Sequence, residues 1–122
     1  MQENEVLSFG IGGYGRGSQS IVVRVGEDGV YRVSRKKSYS YDDVVSEELE
    51  LQKDCFDTFI EAAQNLGVFD WEPRYVKCPM DGSDWDLAID CEGHEGFKSR
   101  GASAQPSEFY DFLALLQDIG FW

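Results

Sequence analysis

The 122-residue sequence contains only three cysteines, one histidine and three prolines, and this scarcity narrows what the chain can be. An odd number of cysteines without paired spacing is untypical of a disulfide framework, so we expect a reducing compartment. No apolar run reaches the roughly 18 residues of a membrane-spanning helix. The first ten residues lack the basic and apolar regions of a secretory signal. The sequence therefore predicts a cytoplasmic protein with one domain, residues 1–122.

Basic residues are also scarce, since 11 of them face 23 acidic residues and the net charge is −12. Residues 1–41 hold six basic and four acidic residues, a balance of +2, and residues 42–122 hold five and nineteen, a balance of −14. This charge disfavours direct binding to nucleic acid and to anionic membranes. It favours a basic protein partner, and the alternative is that the charge serves solubility alone.

The segment from Ser46 to Leu66 has the strongest helical period in the chain. Its apolar residues recur at three- and four-residue steps and are Leu49, Phe56, Phe59, Ile60, Ala63 and Leu66. Its acidic residues recur with the same step on the other side and are Glu47, Glu50, Asp54, Asp57 and Glu61. Ser46 is the expected N-cap and Gly67 the expected stop. We predict one long helix with a buried face and an acidic face.

The remaining segments alternate between strand and helix patterns. Apolar alternation predicts strands at residues 4–11, 19–25, 30–35, 74–78, 85–91 and 97–101. A second helix follows Pro106, with a buried stripe that begins at Phe109. The predicted fold is α+β, an antiparallel sheet of five to six strands in the order βββαββ(β)α, with both helices on one face.

Residues 10–15, GIGGYG, match the glycine pattern of dinucleotide-binding loops. That function needs a helix after the loop, whereas a strand-like segment follows here, so we expect a hairpin tip. Tyr14 and Arg16, carried on these glycines, are of types common at protein interfaces. We include both in the predicted partner-binding site.

Cys55, Cys78, Cys91 and His94 are the candidate metal ligands, but only Cys91 and His94 have the short spacing of zinc ligands. Nothing in the sequence orients the histidine for a cysteine nucleophile. Whether the four side chains come together is left open. We predict no catalytic residue, no metal and no cofactor.

Four aspartates crowd one predicted hairpin, but their spacing does not match a calcium-binding loop. They are Asp81, Asp84, Asp86 and Asp90. The last three would extend the acidic surface if the edge of the sheet lies beside the long helix.

The second half of the chain resembles a pattern found in small uncharacterised bacterial proteins. The matching residues are Trp71, Tyr75, Asp81-Gly82, Trp85, Leu87, Ile89, Gly101, Pro106 and Phe109. This resemblance implies a bacterial origin and a small α+β fold. In size and acidity the chain also loosely resembles the immunity proteins of bacterial toxin systems, which bind and block a toxin, often a basic nuclease.

The sequence thus favours a non-enzymatic protein-binding module, an immunity protein or inhibitor that neutralises a cationic toxin. The predicted partner-binding residues are Glu47, Glu50, Asp54, Asp57, Glu61, Asp84, Asp86, Asp90, Tyr14 and Arg16. One alternative is a phage-encoded inhibitor of a host nuclease that mimics nucleic acid. Another is a small metal-binding or enzymatic domain that uses Cys91 and His94. The sequence does not indicate an oligomeric state.

Overall fold

A computed structural model describes residues 4–13, 17–38, 44–76 and 83–121 of the chain. The strands are β1 (Asn4–Gly13), β2 (Ser18–Val25), β3 (Tyr31–Ser38), β4 (Val44–Leu51), β5 (Arg74–Val76), β6 (Ser83–Cys91) and β7 (His94–Ala102). The helices are α1 (Lys53–Leu66) and α2 (Phe109–Asp118), and a 3₁₀ turn spans Val68–Asp70.

The strands form one seven-stranded sheet in the order β4-β3-β2-β1-β6-β7-β5. Neighbouring strands are antiparallel except β5 and β7, which are parallel. The first three strands make the expected meander, and Gly29 turns β2 into β3 with a φ of 78°. The predicted α+β class is confirmed, but the sheet has seven strands rather than five or six.

The extra strand is β4, and it corrects the prediction of a single helix over Ser46–Leu66. β4 pairs with β3 at eight consecutive positions, from Tyr31 opposite Leu51 to Ser38 opposite Val44. The acidic residues of β4 lie beside the basic residues of β3, and facing opposite charges stabilise a strand pair. The helical period of the sequence does not show this pairing. Tertiary context therefore overrides the local period as far as Leu51.

The predicted start of the long helix is wrong, whereas its predicted end is confirmed. Ser46 is not the N-cap, because it lies within β4, and Gln52 precedes the helix without a side-chain cap hydrogen bond. Gly67 does end the helix, with a φ of 93° and its N–H bonded to the carbonyls of Ala63 and Gln64. Glycine is suited to this left-handed conformation, so the stop signal could be recognised from sequence.

Both helices cover the same face of the sheet, as predicted. Alternate strand residues such as Phe9, Val23 and Leu87 are buried beneath them. The ring of Phe112 on α2 lies 6.0 Å from that of Phe9 on β1, 5.9 Å from that of Phe59 on α1 and 5.4 Å from that of Trp71. Phe112 therefore joins the sheet, both helices and the segment after α1 in one core.

The other face of the sheet carries small and charged residues and is not covered by either helix. Ser8, Ser20 and Ser34 belong to this face, because they alternate with the buried residues of β1, β2 and β3. Antiparallel sheets commonly have one such solvated face. Among the described residues, no helix combines the length and apolarity needed to cross a membrane.

We expect Phe112→Ala to lower the free energy of unfolding by about 3–5 kcal/mol, because a fully buried ring is lost from the centre of the core. Asp111→Asn, an exposed change on the same helix, should stay within about 0.5 kcal/mol. Urea denaturation measures both. A loss below about 1 kcal/mol for Phe112→Ala would show that α2 is not packed on the sheet in this way.

Candidate protein-binding surfaces

The structure distributes the predicted partner-binding residues over several surfaces instead of one acidic helix face. Glu47 and Glu50 lie on β4, whereas Asp54, Asp57 and Glu61 lie on α1. Tyr14 and Arg16 lie outside the described residues, as do Cys78 and Asp81. The single row of five helical carboxylates is therefore wrong, although all five side chains are exposed.

Glu47 points to the helix-covered side of β4 and forms an ion pair with Arg35 of β3. Arg35 Nη2 lies 2.7 Å from Glu47 Oε2, and Arg35 Nη1 donates to the carbonyl oxygen of Gly120 at 3.1 Å. The guanidinium thus bridges the edge strand to the chain end that follows α2. Glu47 has a structural partner, which makes it less available to a binding partner.

Glu48 and Glu50 point to the open side of β4, where Ser34 and Arg32 lie opposite them on β3. Arg32 forms an ion pair with Asp28, with 3.0 Å between Nη2 and Oδ2. The backbone N–H of Val30 and the guanidinium of Arg32 hold the pKa of the Asp28 carboxyl below its usual value. Arg32 is thus engaged with Asp28, and no hydrogen bond or ion pair of Glu48 or Glu50 is found within the described part of the chain.

The acidic residues of α1 are all exposed, but they differ in whether they form an ion pair. Asp57 accepts a hydrogen bond from Lys53 Nζ at 2.8 Å, and this contact raises the pKa of the Lys53 ammonium. Asp54 lies in the first turn, where a carboxylate is favoured by the helix dipole. In the described segments, neither Asp54 nor Glu61 has an ion-pair partner.

An apolar groove of about 300 Å³, the helix groove, lies between α1 and α2. It is lined by Asp54, Cys55, Thr58, Phe59, Ala62, Leu115, Asp118 and Ile119. Most of these side chains are apolar, and the two charged ones are both carboxylates. An apolar centre with a charged rim is the usual arrangement of a protein-binding site.

Sequence reasoning missed the contribution of α2 to this groove. Leu115 lies off the buried stripe of α2 and is only half-buried, and Asp118 is exposed at the last residue of the helix. An apolar residue outside the buried stripe was the available signal. It could not be interpreted without knowing that α1 and α2 lie side by side.

The helix groove approaches the edge strand through the segment after α2. Ile119 lines the groove, and a methyl group placed on the next residue, Gly120, would lie 3.6 Å from Leu49 Cδ1 of β4. Leu49 is 38% exposed, although it belongs to the helix-covered side of the sheet. The groove and β4 therefore adjoin.

Asp84 and Asp86 lie on the open face of the sheet, away from the helices, so they do not extend the surface of α1. They alternate with Trp85 and Leu87, which are buried beneath the helices. Asp90 is exposed at the end of β6, and its Oδ1 accepts a hydrogen bond from the N–H of Gly96 at 3.1 Å, which stabilises the β6–β7 turn.

A second, wider groove of about 850 Å³ lies on this open face, where the neighbouring side chains are small. Gly10, Gly12, Ser18 and Ser20 form part of its floor. A methyl group on Gly10 would lie 3.2 Å from Asp86 Oδ1, so the carboxyl is placed over that glycine. Partial burial raises the pKa of Asp86, and the charge of Arg100 on β7 partly counteracts this.

Cys91 and His94 lie opposite each other at the β6–β7 turn. Burial raises the pKa of the Cys91 thiol, and the nearby charges of Glu95, Asp90 and Asp57 raise it further. The imidazole of His94 stacks on Phe69, with ring centroids 3.6 Å apart and planes at 8°. This environment favours the thiol over the thiolate and therefore opposes a nucleophilic role.

The structure describes three of the four candidate metal ligands. Cys55 is exposed on α1, Cys91 is half-buried at the turn, and Cys78 lies outside the described residues. Within the described ranges, no three histidine, cysteine, aspartate or glutamate side chains form a group able to hold a metal ion.

Comparison of the chain with models of known protein families gives no match, and comparison with curated proteins also gives none.

We expect Asp86→Asn to stabilise the fold slightly at neutral pH, by about 0.5 kcal/mol or less, because the side chain is only partly buried. The raised pKa means that the folded state holds this proton to a higher pH than the unfolded chain does. The penalty of ionisation therefore develops as pH rises through the folded pKa, and the gain in the variant should vanish below the unfolded value of 3.8.

Thermal unfolding between pH 3 and pH 7 measures this difference, and Asp84→Asn on the same face controls for the loss of one negative charge. An equal gain at pH 7 from both substitutions would mean that general charge repulsion, and not the burial of Asp86, is responsible.

We expect a thiol reagent to modify Cys55 several-fold faster than Cys91 near pH 8, because Cys55 is exposed and the Cys91 thiolate is disfavoured. The double variants Cys78→Ser/Cys91→Ser and Cys55→Ser/Cys78→Ser isolate the two thiols, and their rates should converge in denaturant. Faster modification of Cys91 in the folded protein would favour the enzymatic alternative.

Proposed function

We propose that this chain is a non-enzymatic bacterial protein-binding module of the immunity-protein kind, which binds a cationic toxin and blocks it. The observation that carries the proposal is the helix groove, whose apolar lining is flanked by Asp54 and Asp118 with no cation among its lining residues. Such a groove is suited to an apolar side chain flanked by lysine or arginine on the toxin.

The position of Asp118 supports a binding role over a purely structural one. A carboxylate in the last turn of a helix faces the negative end of the helix dipole, which costs about 0.3–1 kcal/mol. No basic residue occupies the last turn of α2 to offset this. Asp118 therefore lowers the stability of its own helix, whereas a cationic partner would be attracted by it.

The charge of the whole chain supports the same kind of partner. A net charge of −12 attracts basic proteins at long range and speeds their encounter, and this effect weakens as salt is added. The exposed carboxylates of Asp54, Glu61 and Asp118 then provide contacts near the apolar groove. The toxin would be blocked by occlusion of the cationic surface that it uses on its own substrate.

The proposal is tested with the product of a toxin gene beside the gene of this chain. Co-expression of this chain should protect cells from that product, and the two proteins should form a complex whose association rate falls as salt rises. Lack of protection and of binding would contradict the immunity role. A phage operon around the gene would instead favour the nucleic-acid-mimic form.

We expect Asp118→Lys to raise the melting temperature of the free protein and yet slow association with the toxin, on the order of fivefold at low salt. Most substitutions that weaken binding do not also stabilise the free protein. A higher melting temperature together with slower association would therefore indicate that Asp118 serves binding and not the fold. Scanning calorimetry and stopped-flow association measure the two quantities.

Asp84→Lys is the matched control, because it changes the charge equally on the sheet face opposite the helices. Its association rate should stay within about twofold of the unmodified chain at moderate salt, because exposed charges farther away than the screening length contribute little. Equal slowing by the two substitutions would show that the helix groove is not the contact site.

A further inference from the structure

Among the described residues, the outer edge of β4 is the longest edge of the sheet that no strand pairs with. β4 has eight residues and lies at one end of the strand order, whereas β5 at the other end has three. A strand at the edge presents a row of N–H and C=O groups that no neighbouring strand bonds. Proteins usually protect such an edge with charged side chains, a proline, a bulge or a very short strand, and of these β4 has only charged side chains, its glutamates. β4 contains no proline and pairs with β3 without a register shift.

This acidic edge strand also exposes apolar side chains. Val44, Val45 and Leu49 are 57%, 42% and 38% exposed, and they make up three of the five large apolar side chains that are exposed in the described part of the chain. Val45 and Leu49 belong to the helix-covered side of the strand, next to the helix groove. A further strand beside β4 would cover these side chains and continue the apolar layer.

The charges of β3 and β4 indicate what kind of strand fits there. Arg32 and Arg35 of β3 lie opposite Glu50 and Glu47 of β4. Opposite charges on facing positions stabilise a strand pair, and like charges destabilise it. The sheet therefore alternates from basic β3 to acidic β4, and the complementary next strand is basic.

A second copy of this chain is a poor fit for the same edge. In a symmetric antiparallel pair, directly opposite residues point to the same face, so the two-fold axis must pass through one residue of β4. An axis at Glu47 or Glu48 would place that glutamate opposite its own copy. An axis at Leu49 would place Glu48 opposite Glu50, which again pairs like charges. An axis at Ser46 avoids this, but it pairs only residues 44–48, places Val44 and Val45 opposite Glu48 and Glu47, and leaves Leu49 uncovered.

We infer that β4 accepts an extended basic segment of a partner protein as an eighth, antiparallel strand. The backbone of the edge supplies the hydrogen bonds, and the alternating side chains set the sequence that is accepted. Residues opposite Glu48 and Glu50 would be lysine or arginine, and the residue opposite Leu49 would be apolar. This inference rests on the proposed function and specifies how the toxin would be held.

The probe is an eight-residue peptide, (Lys-Val)₄, acetylated, amidated and labelled for fluorescence anisotropy. It presents four lysines to the carboxylate side of β4 and four valines to the side of Val45 and Leu49. We expect saturable binding that weakens with added salt. The charge-reversed peptide (Glu-Val)₄ should bind at least about tenfold more weakly, because it would place glutamate opposite glutamate.

Two methylated forms of the peptide test whether the backbone is used. In an added strand, alternate N–H groups point to β4 and the others point to solvent. Methylation of the lysine N–H groups and methylation of the valine N–H groups should therefore have unequal effects, with one peptide losing binding and the other retaining it. Equal binding by both, or equal loss by both, would overturn strand addition.

Variants of the chain locate the site. Glu48→Lys should weaken binding of (Lys-Val)₄ about fivefold or more, since Glu48 is exposed and lies opposite the uncharged Ser34. Asp84→Lys, on the same sheet face but on β6, should leave binding within about twofold. Equal effects of the two variants would overturn the assignment to β4. A dimer in analytical ultracentrifugation that Glu48→Lys dissociates would identify a second copy as the occupant and would also overturn it.

Failure of this inference is distinguishable from failure of the proposed function. Asp118→Lys should leave peptide binding within about twofold, because the peptide does not need the helix groove. If cells are protected from the toxin but the methylated peptides behave alike, the toxin is held without strand addition. If the peptide binds as expected but no protection occurs, β4 is a strand-accepting edge of a protein with another role.

Discussion

The ring of Phe112 is the contact on which the rest of the fold depends, because it touches every layer of the core. It packs against Phe9 of the sheet, Phe59 of α1 and Trp71 of the following segment. A sheet with one apolar face must bury that face, and α1 and α2 do so only when they lie side by side. Their side-by-side placement creates the helix groove, and it leaves the opposite face of the sheet and the outer edge of β4 uncovered by helices. The candidate binding surfaces thus follow from how the core is closed.

Much of the fold could be predicted from the sequence because the relevant signals are local. Alternation of Trp85, Leu87 and Ile89 with aspartates predicts β6, and a glycine directly after Leu66 predicts the end of α1. The strand β4 could not be predicted in this way. Its residues fit a helical period as well as a strand period, and what decides between them is the basic strand β3 lying alongside. That is a long-range pairing, which a local pattern does not contain.

The candidate surfaces were harder to predict than the fold for the same reason. Acidic character was visible from composition, but its placement depends on which residues are in strands. Moving Glu47 and Glu50 from a helix to β4 puts their side chains on opposite sides of the sheet. Of these two residues, Glu47 forms an ion pair and Glu50 forms none with the described residues. Asp118 escaped notice because its importance depends on α1 lying beside α2, so that its carboxylate and that of Asp54 flank one groove.

The uneven charge of the chain has a structural interpretation once the strand order is known. The first 41 residues carry a balance of +2, and four of their basic residues, Arg32, Arg35, Lys36 and Lys37, lie on β3. β3 pairs with acidic β4 on one side and with β2 on the other, so this basic strand does not form an edge of the sheet. The negative charge that β3 does not balance lies on the edge strand β4 and on α1, the helix that directly follows β4. A strand order that ended on β3 would present a basic edge to solvent. Ending on β4 presents an acidic one, and a basic strand is therefore the neighbour that would continue the alternation.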